Sequence, residues 1–295
     1  PDFPETKFAI VDMVVEQPNV KSVVFNEHEG SYLVGMLAGL ASKTGTVGFI
    51  GGMDIPLIRK FGCGYAQGVK AVNPDAKIVL NMTGTTPAAW NDPVKGAELA
   101  KGQKAQGADV IYAAAGGTGV GVLQAAADEG ILSIGVDSNQ NYLHPGKVLT
   151  SMLKRVDNAV YEAFKEGENL TAGINVMGLA NDGVGYAMDE NNAALVTPDR
   201  ELARRVTAEL KRWQIDIDDS AGTPLADVTT YRLRGARGRY VVVWITAIPG
   251  GGAGAAVGGA LAAAIGALSL RTAGVQFLFP DMANFGWDSV LGRFG

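Results

Sequence analysis

The sequence predicts an α/β fold in which parallel strands alternate with helices. Seven short runs, apolar and rich in valine and isoleucine, have the character of buried parallel strands: Phe8–Val11, Ser22–Phe25, Thr46–Ile50, Lys77–Asn81, Asp109–Ala113, Leu132–Val136 and Val148–Leu153. Stretches of helical length lie between or after them: Gly30–Ser42, Pro56–Val72, Pro93–Gln106, Gly119–Asp128 and Asp157–Glu166. This alternation indicates βαβ units, so we expect parallel sheets with helices on both faces.

Glycine and proline mark where several helices end or begin. Gly107, Gly130 and Gly167 follow predicted helix ends, where a left-handed cap is favoured. Thr197 and Pro198 introduce one more amphipathic helix, Asp199–Trp213. These signals support the helix assignments independently of the apolar pattern.

Composition excludes several classes of protein. The chain has 295 residues, 47% hydrophobic and 19% charged, which is enough for two domains with a sizeable core. A net charge of −5 argues against a nucleic-acid partner. With one cysteine, Cys63, and two histidines, we expect neither an internal disulfide nor a His/Cys metal site, and no cofactor is indicated. Cys63 is expected to be buried in the Pro56–Val72 helix.

The character of the chain changes near residue 215. Residues 216–230 are polar and loop-like, a cluster of arginines follows, and Tyr240–Leu270 is uncharged and crowded with glycine and alanine. Residues 216–295 are therefore treated as a C-terminal extension. Its uncharged run is long enough to span a bilayer, which needs about 20 apolar residues, but it could equally have no membrane role. The first residues show no signal peptide, and the chain reads as if entered midway.

Polar residues follow several of the predicted strands. Asp12 follows the first strand, Gly116 the fifth, Asp137 the sixth and Lys154 the seventh, and Trp90 lies in the loop after the fourth. Ligands of open parallel sheets bind beyond the carboxyl ends of the strands. These five residues are therefore the candidate ligand-binding residues.

Each candidate has a chemical role and a structural alternative. Asp12 and Asp137 could accept ligand hydrogen bonds worth about 1.5–3 kcal/mol, or could cap helices. Lys154 could bind ligand, pair with Asp137 or be solvated. Gly116 opens a Gly-Gly-Thr-Gly run that lets a ligand approach a helix N-terminus, without the Lys-Ser/Thr pair of a P-loop. Trp90 could stack on a flat ring, worth about 1–3 kcal/mol, or could be a core residue.

The sequence offers little support for an enzyme. No nucleophile has a convincing base. His28 is expected to cap a helix or to be solvated, and His144 reads as a turn residue. A Rossmann-like enzyme would need a dinucleotide fingerprint after the first strand, and none is evident. Catalytic residues are therefore not predicted.

Five stretches together resemble the basic membrane protein family of ABC-transporter solute-binding lipoproteins, whose best-known members are purine nucleoside receptors. They run in family order over about residues 1–200: NEHEGSYLVGMLA (26–38), VGFIGGMDIPLIRKF (47–61), WNDPVKG (90–96), ADVIYAAAGGTG (108–119) and IGVDSNQ (134–140). The resemblance implies a type I periplasmic-binding-protein fold, with two Rossmann-like lobes and a cleft that closes on ligand. It assigns residues 1–44 and 153–215 to lobe one and residues 45–152 to lobe two.

The resemblance also implies roles and partners. Trp90 would stack on the base, Gly116, Asp137 and Lys154 would hold the ribose, and Asp12 would face the base. The partners would be a purine nucleoside and an ABC permease, at the periplasmic or outer face of the cell membrane. Relative to the family pattern the chain lacks the first strands of lobe one and a second stacking ring, so we expect weak binding by this chain alone. The alternative is a non-functional or membrane-associated fusion fragment.

Overall fold

The structure is a computed structural model that describes residues 3–195 and the backbone of residues 215–217, 230–235 and 240–244. The α-helices of residues 3–195 are α1 (Glu27–Ala41), α2 (Pro56–Val72), α3 (Pro93–Ala105), α4 (Thr118–Asp128) and α5 (Val156–Glu166). The strands are β1 (Phe8–Val11), β2 (Val20–Phe25), β3 (Thr46–Gly51), β4 (Lys77–Met82), β5 (Val110–Ala114), β6 (Leu132–Asp137), β7 (Val148–Lys154), β8 (Gly173–Met177), β9 (Val184–Tyr186), β10 (Ile215–Ile217), β11 (Thr230–Gly235) and β12 (Tyr240–Trp244).

Two mainly parallel sheets organise residues 3–195. The larger sheet has the order β4-β3-β5-β6-β7-β9, in which all pairs are parallel except β7 with β9. The smaller sheet has the order β1-β2-β8 and is parallel throughout. The α/β fold with parallel sheets is therefore confirmed. Strands β10, β11 and β12 form a separate antiparallel sheet.

All seven predicted strands and five predicted helices within residues 3–195 are present; β1 and α2 have the predicted bounds, and the other elements have shifted ends. The largest shift is at α1, which begins at Glu27 instead of Gly30. The three glycines expected after helices have positive φ, at 99° for Gly107, 72° for Gly130 and 53° for Gly167, so the left-handed ends are confirmed. Strands β8 and β9 were not predicted, because one is only half apolar and the other has three residues.

The main core lies where α1 and α2 pack together against the larger sheet. The two helices touch through glycine. A Cβ atom added at Gly64 would lie 2.1 Å from the carbonyl oxygen of His28, and one at Gly68 would lie 1.9 Å from that of Tyr32. Cys63 is fully buried in α2, as predicted. This close crossing fixes the first turn of α1 beside the strand ends of the larger sheet.

The division into lobes remains a prediction. Strand β9, which falls in predicted lobe one, is hydrogen-bonded to β7 of the larger sheet. The predicted helix Asp199–Trp213 lies outside the described residues. Of the uncharged run 240–270, only Tyr240–Trp244 is described, and it is a strand. Within the described parts of the chain, no helix has both the length and the apolar character needed to cross a bilayer.

Candidate functional site

The candidate residues all lie at the carboxyl ends of parallel strands. Asp137 and Lys154 are the last residues of β6 and β7, and Gly116 follows β5 by two residues. Trp90 ends a short 3-10 turn after β4. Since β4, β3, β5, β6 and β7 are adjacent in the sheet, these four residues share one edge. Asp12 directly follows β1 of the smaller sheet.

Lys154 joins the two sheets through its ammonium group. The side chain is buried, with 6% of the residue exposed. Its Nζ lies 2.5 Å from Asp12 Oδ1, beyond the smaller sheet, and 3.2 Å from Glu27 Oε1, in α1. Of the alternatives considered for Lys154, solvation is wrong, and Asp137 attracts the ammonium only at longer range. The ring of Phe25 lies 5.1 Å from Nζ, within cation–π distance.

The charges of this cluster depend on one another. Burial lowers the pKa of Lys154, but the carboxylates of Glu27, Asp12 and Asp137 outweigh it, and the net shift is upward. The lysine is therefore cationic at neutral pH. Burial raises the pKa of Asp137, opposed by Lys154 and reinforced by Asp12. Asp137 is surrounded by many protein atoms, which raises its pKa, but its side chain is still exposed to water.

Asp12 and Asp137 share an unusual backbone conformation. Both have φ of 65°, in the left-handed region, where a residue with a Cβ atom is disfavoured by about 1–2 kcal/mol. Neither caps a helix, because Asp12 leads through a loop to β2, and the 3-10 turn after Asp137 has Gln140 as its N-cap. Strained backbone of this kind is found disproportionately at binding sites.

Glu27 is a member of the cluster that sequence reasoning missed. It is fully buried, and its second oxygen lies 3.6 Å from Lys60 Nζ. The expectation for the neighbouring His28 was wrong, since His28 is 5% exposed and neither caps α1 nor is solvated. The reason is the close packing of α2 over the first turn of α1. Glu27 follows β2 by two residues, so the strand-end rule that selected Asp12 could have found it.

Trp90 forms a second group with two glycines. Its side chain is half-buried and packs against the main core, so the core alternative holds in part, and the stacking role stays a prediction. A Cβ atom at Gly52 would lie 2.0 Å from Cζ3 of the indole, and one at Gly116 would lie 3.7 Å from Cε3. The 3-10 turn is tied to the start of α4 by the Thr118 hydroxyl, which donates to the Ala89 carbonyl oxygen at 2.7 Å. Gly116, with φ of 57°, adopts the conformation that glycine allows.

The strand ends thus hold two groups: the buried ammonium of Lys154 between carboxylates, and the indole of Trp90 packed against Gly52. His144, as predicted, lies in a turn. Together with the two parallel sheets, these features define an α/β ligand-binding protein. A solute-binding protein of an ABC transporter system from Aeropyrum pernix has a similar structure, with a TM-score of 0.63 and 30% identity over 72% of this chain and 69% of that one. The fold is the type I periplasmic-binding-protein fold.

The family follows from the sequence comparison. Residues 1–215 match the model of the family described as ABC transporter substrate-binding protein, PnrA-like, and the chain belongs to that family. It is 37% identical over 238 residues to a CD4+ T-cell-stimulating antigen of Listeria monocytogenes, covering 73% of this chain and 62% of that protein. It is 36% identical over 208 residues to the ABC transporter nucleoside-binding protein BmpA of Lactococcus lactis, covering 63% and 58%.

The resemblance seen in the sequence is therefore confirmed, and the family to which the chain belongs is one of substrate-binding proteins of ABC transporters. The chain spans about 60% of the length of these two relatives.

Proposed function

We propose that this chain captures a purine nucleoside in a cleft between two lobes and delivers it to an ABC permease at the periplasmic or outer face of the membrane. The observation that supports it most is that Lys154 contacts Asp12 of the smaller sheet and is also attracted by Asp137 of the larger sheet. Lys154 and Asp12 fall in predicted lobe one and Asp137 in predicted lobe two. The lobes would be residues 1–44 with 153–215, and residues 45–152. The name of the Lactococcus lactis relative supports a nucleoside as the ligand.

The proposed roles follow from the chemistry of each group. The exposed carboxyl group of Asp137 accepts from ribose hydroxyls, and the ammonium of Lys154 donates to a ribose oxygen. The exposed backbone at Gly116 lets the sugar approach the start of α4. Asp12 accepts from an N–H group of the base, and the indole of Trp90 stacks on it.

Closure follows from the same arrangement. A ligand that touches groups of both sheets binds the closed arrangement better than the open one and shifts the population toward it. The ion pair between Lys154 and Asp12 already joins the two sheets, and a bound ligand would add further contacts between the same two sheets.

The test is calorimetric titration of the chain with guanosine, adenosine, inosine and free ribose, repeated with Trp90→Ala. We expect a nucleoside to bind and the variant to lose roughly 5- to 100-fold in affinity, the value of one stacking contact. Ribose, which has no base, should lose nothing in the variant. Equal nucleoside affinity in both proteins would remove the stacking role from Trp90, and absence of nucleoside binding would contradict the proposed ligand.

A further inference from the structure

Glu27 is a buried carboxylate whose placement is unexplained by packing alone. Burial of an ionised carboxylate is costly unless cations and hydrogen bonds compensate. Glu27 is fully buried and has two cations near it, Lys154 Nζ at 3.2 Å and Lys60 Nζ at 3.6 Å. Burial raises the pKa of Glu27, and Lys154 and Lys60 offset this only in part. An amide or a methylene chain would fill the same volume at lower cost, so the carboxyl group itself calls for an explanation.

The two carboxylates on Lys154 differ in how firmly they are held. Asp12 lies in the loop after β1, and its side chain is about one-third exposed. Glu27 lies in the first turn of α1, where α2 crosses so closely that a Cβ atom at Gly64 would overlap the backbone of His28. Lys60, in α2, holds the other oxygen of Glu27 and also donates to the carbonyl oxygen of Phe25 at 3.3 Å. Glu27 is thus buried with cations of two elements beside it, whereas Asp12 has solvent on one side.

We propose that Glu27 is a positioning residue that holds the ammonium of Lys154 charged and aimed at the ligand site. The inference rests on the proposed function, because the role of Lys154 toward a ligand is itself proposed. An ammonium has three N–H donors. Glu27 attracts this ammonium as an ion-pair partner at 3.2 Å, although neither of its oxygens has a hydrogen-bond partner among the described residues. Asp12 is the nearer partner at 2.5 Å in the ligand-free protein, and a ligand would take a donor that these carboxylates leave.

The charged groups around Lys154 give this role a distinctive pH signature. Asp12 faces the ammonium from the loop after β1, Asp137 from the end of β6 and Glu27 from α1, and Lys60 faces Glu27 from α2. Burial lowers the pKa of Lys154, and Glu27 is the largest influence that raises it. Without Glu27 the effect of burial is offset less, so the pKa of Lys154 falls and the lysine loses its proton at a lower pH. A purely structural contribution of Glu27 would not move this titration.

The test uses Glu27→Gln, which keeps shape and removes charge. Guanosine affinity is measured by calorimetry between about pH 6 and pH 9, and the pKa of Lys154 by NMR of 13C-labelled lysine, with the signal assigned through Lys154→Arg. We expect the variant to bind roughly tenfold or more weakly at neutral pH, with the loss growing as pH rises, and the pKa of Lys154 to fall. Glu98→Gln, the same change at an exposed site on α3, should alter neither quantity.

A second variant and the Lys154 titration allow the proposal to be refuted even if Glu27→Gln does not fold or no nucleoside binds. If Glu27→Gln does not fold, Glu27→Asp retains the charge at a greater distance and should give an intermediate loss and an intermediate fall in pKa. A folded Glu27→Gln protein with unchanged affinity and an unchanged Lys154 titration would overturn the proposal. If the unaltered chain binds no nucleoside, the proposed function fails, and the Lys154 titration alone decides whether Glu27 controls the lysine.

Discussion

The indole of Trp90 lies directly on the α-carbon of Gly52. A Cβ atom at Gly52 would lie 2.0 Å from Cζ3, 2.4 Å from Cε3 and 2.6 Å from Cη2 of the ring, so no side chain fits there while the ring keeps its place. Gly52 itself is held on both sides, because its N–H donates to the Ala114 carbonyl oxygen at 3.0 Å and its carbonyl oxygen accepts from the Thr83 N–H at 3.0 Å. Any added atom must therefore displace the indole.

Gly52→Ala is expected to weaken nucleoside binding about as much as removal of the indole, roughly 5- to 100-fold. The displaced ring can no longer lie flat against the base. In the background of Trp90→Phe, whose smaller ring reaches less far toward Gly52, the same alanine should cost much less. Calorimetry on the two single variants and the double variant measures the difference.

Circular dichroism and thermal melts of these variants provide the control. All should fold, because Gly52 lies at a strand end and Trp90 is only partly buried at the border of the main core. An equal loss from Gly52→Ala in the tryptophan and phenylalanine backgrounds would show that the glycine acts through the backbone and not through the ring.

Seven of the nine strands in residues 3–195 could be predicted from the sequence because buried parallel strands leave continuous apolar runs. Strand β9 could not, because three residues carry no pattern and its position depends on pairing with β7. The early start of α1 was missed although Glu27 and Glu29 are acidic residues of the kind that the helix dipole favours in a first turn.

In the candidate site, too, some residues could be predicted from the sequence and others could not. Asp12, Asp137 and Lys154 were found because the strand-end rule needs only the order of elements. The partnership of Lys154 with Glu27 depends on how α1 packs on α2, and no spacing in the sequence encodes it. Gly52 was visible in the sequence, but its role required the position of the Trp90 ring.

Asp137→Asn is expected to weaken ligand binding and to stabilise the protein slightly at neutral pH. Loss of a charge-assisted hydrogen bond to the sugar should cost roughly 10- to 100-fold in affinity. The stability gain follows from the raised pKa of Asp137, caused first by burial. A folded-state pKa above the unfolded one means that the folded protein binds more protons, so the charged form costs stability at pH above both values.

The pH dependence tests this sign. As pH falls through the raised pKa toward the ordinary value of 3.8, Asp137 takes up its proton in the folded state and the advantage of the asparagine variant should shrink. Thermal melts of both proteins across the acidic range measure it. The difference should be small, because Asp137 is exposed and water screens its charge. A variant less stable than the parent at neutral pH would contradict the burial argument.

Replacing glycine by alanine is expected to have opposite effects on stability at Gly68, where α2 meets α1, and at Gly102, which is exposed on α3. Gly68 lies in α2, where a Cβ atom would be 1.9 Å from the Tyr32 carbonyl oxygen and 2.8 Å from the Met36 backbone nitrogen. Gly68→Ala must push the helices apart, and we expect a loss of about 1–3 kcal/mol in the free energy of unfolding.

Gly102 is exposed in α3 with nothing within 4 Å of its Cβ position, so Gly102→Ala should gain about 0.5–1 kcal/mol through helix propensity. Denaturant unfolding of both variants measures the two values. Because α1 carries Glu27, Gly68→Ala should also weaken nucleoside binding, whereas Gly102→Ala should not. A stabilising Gly68→Ala would show that the two helices do not pack through this glycine.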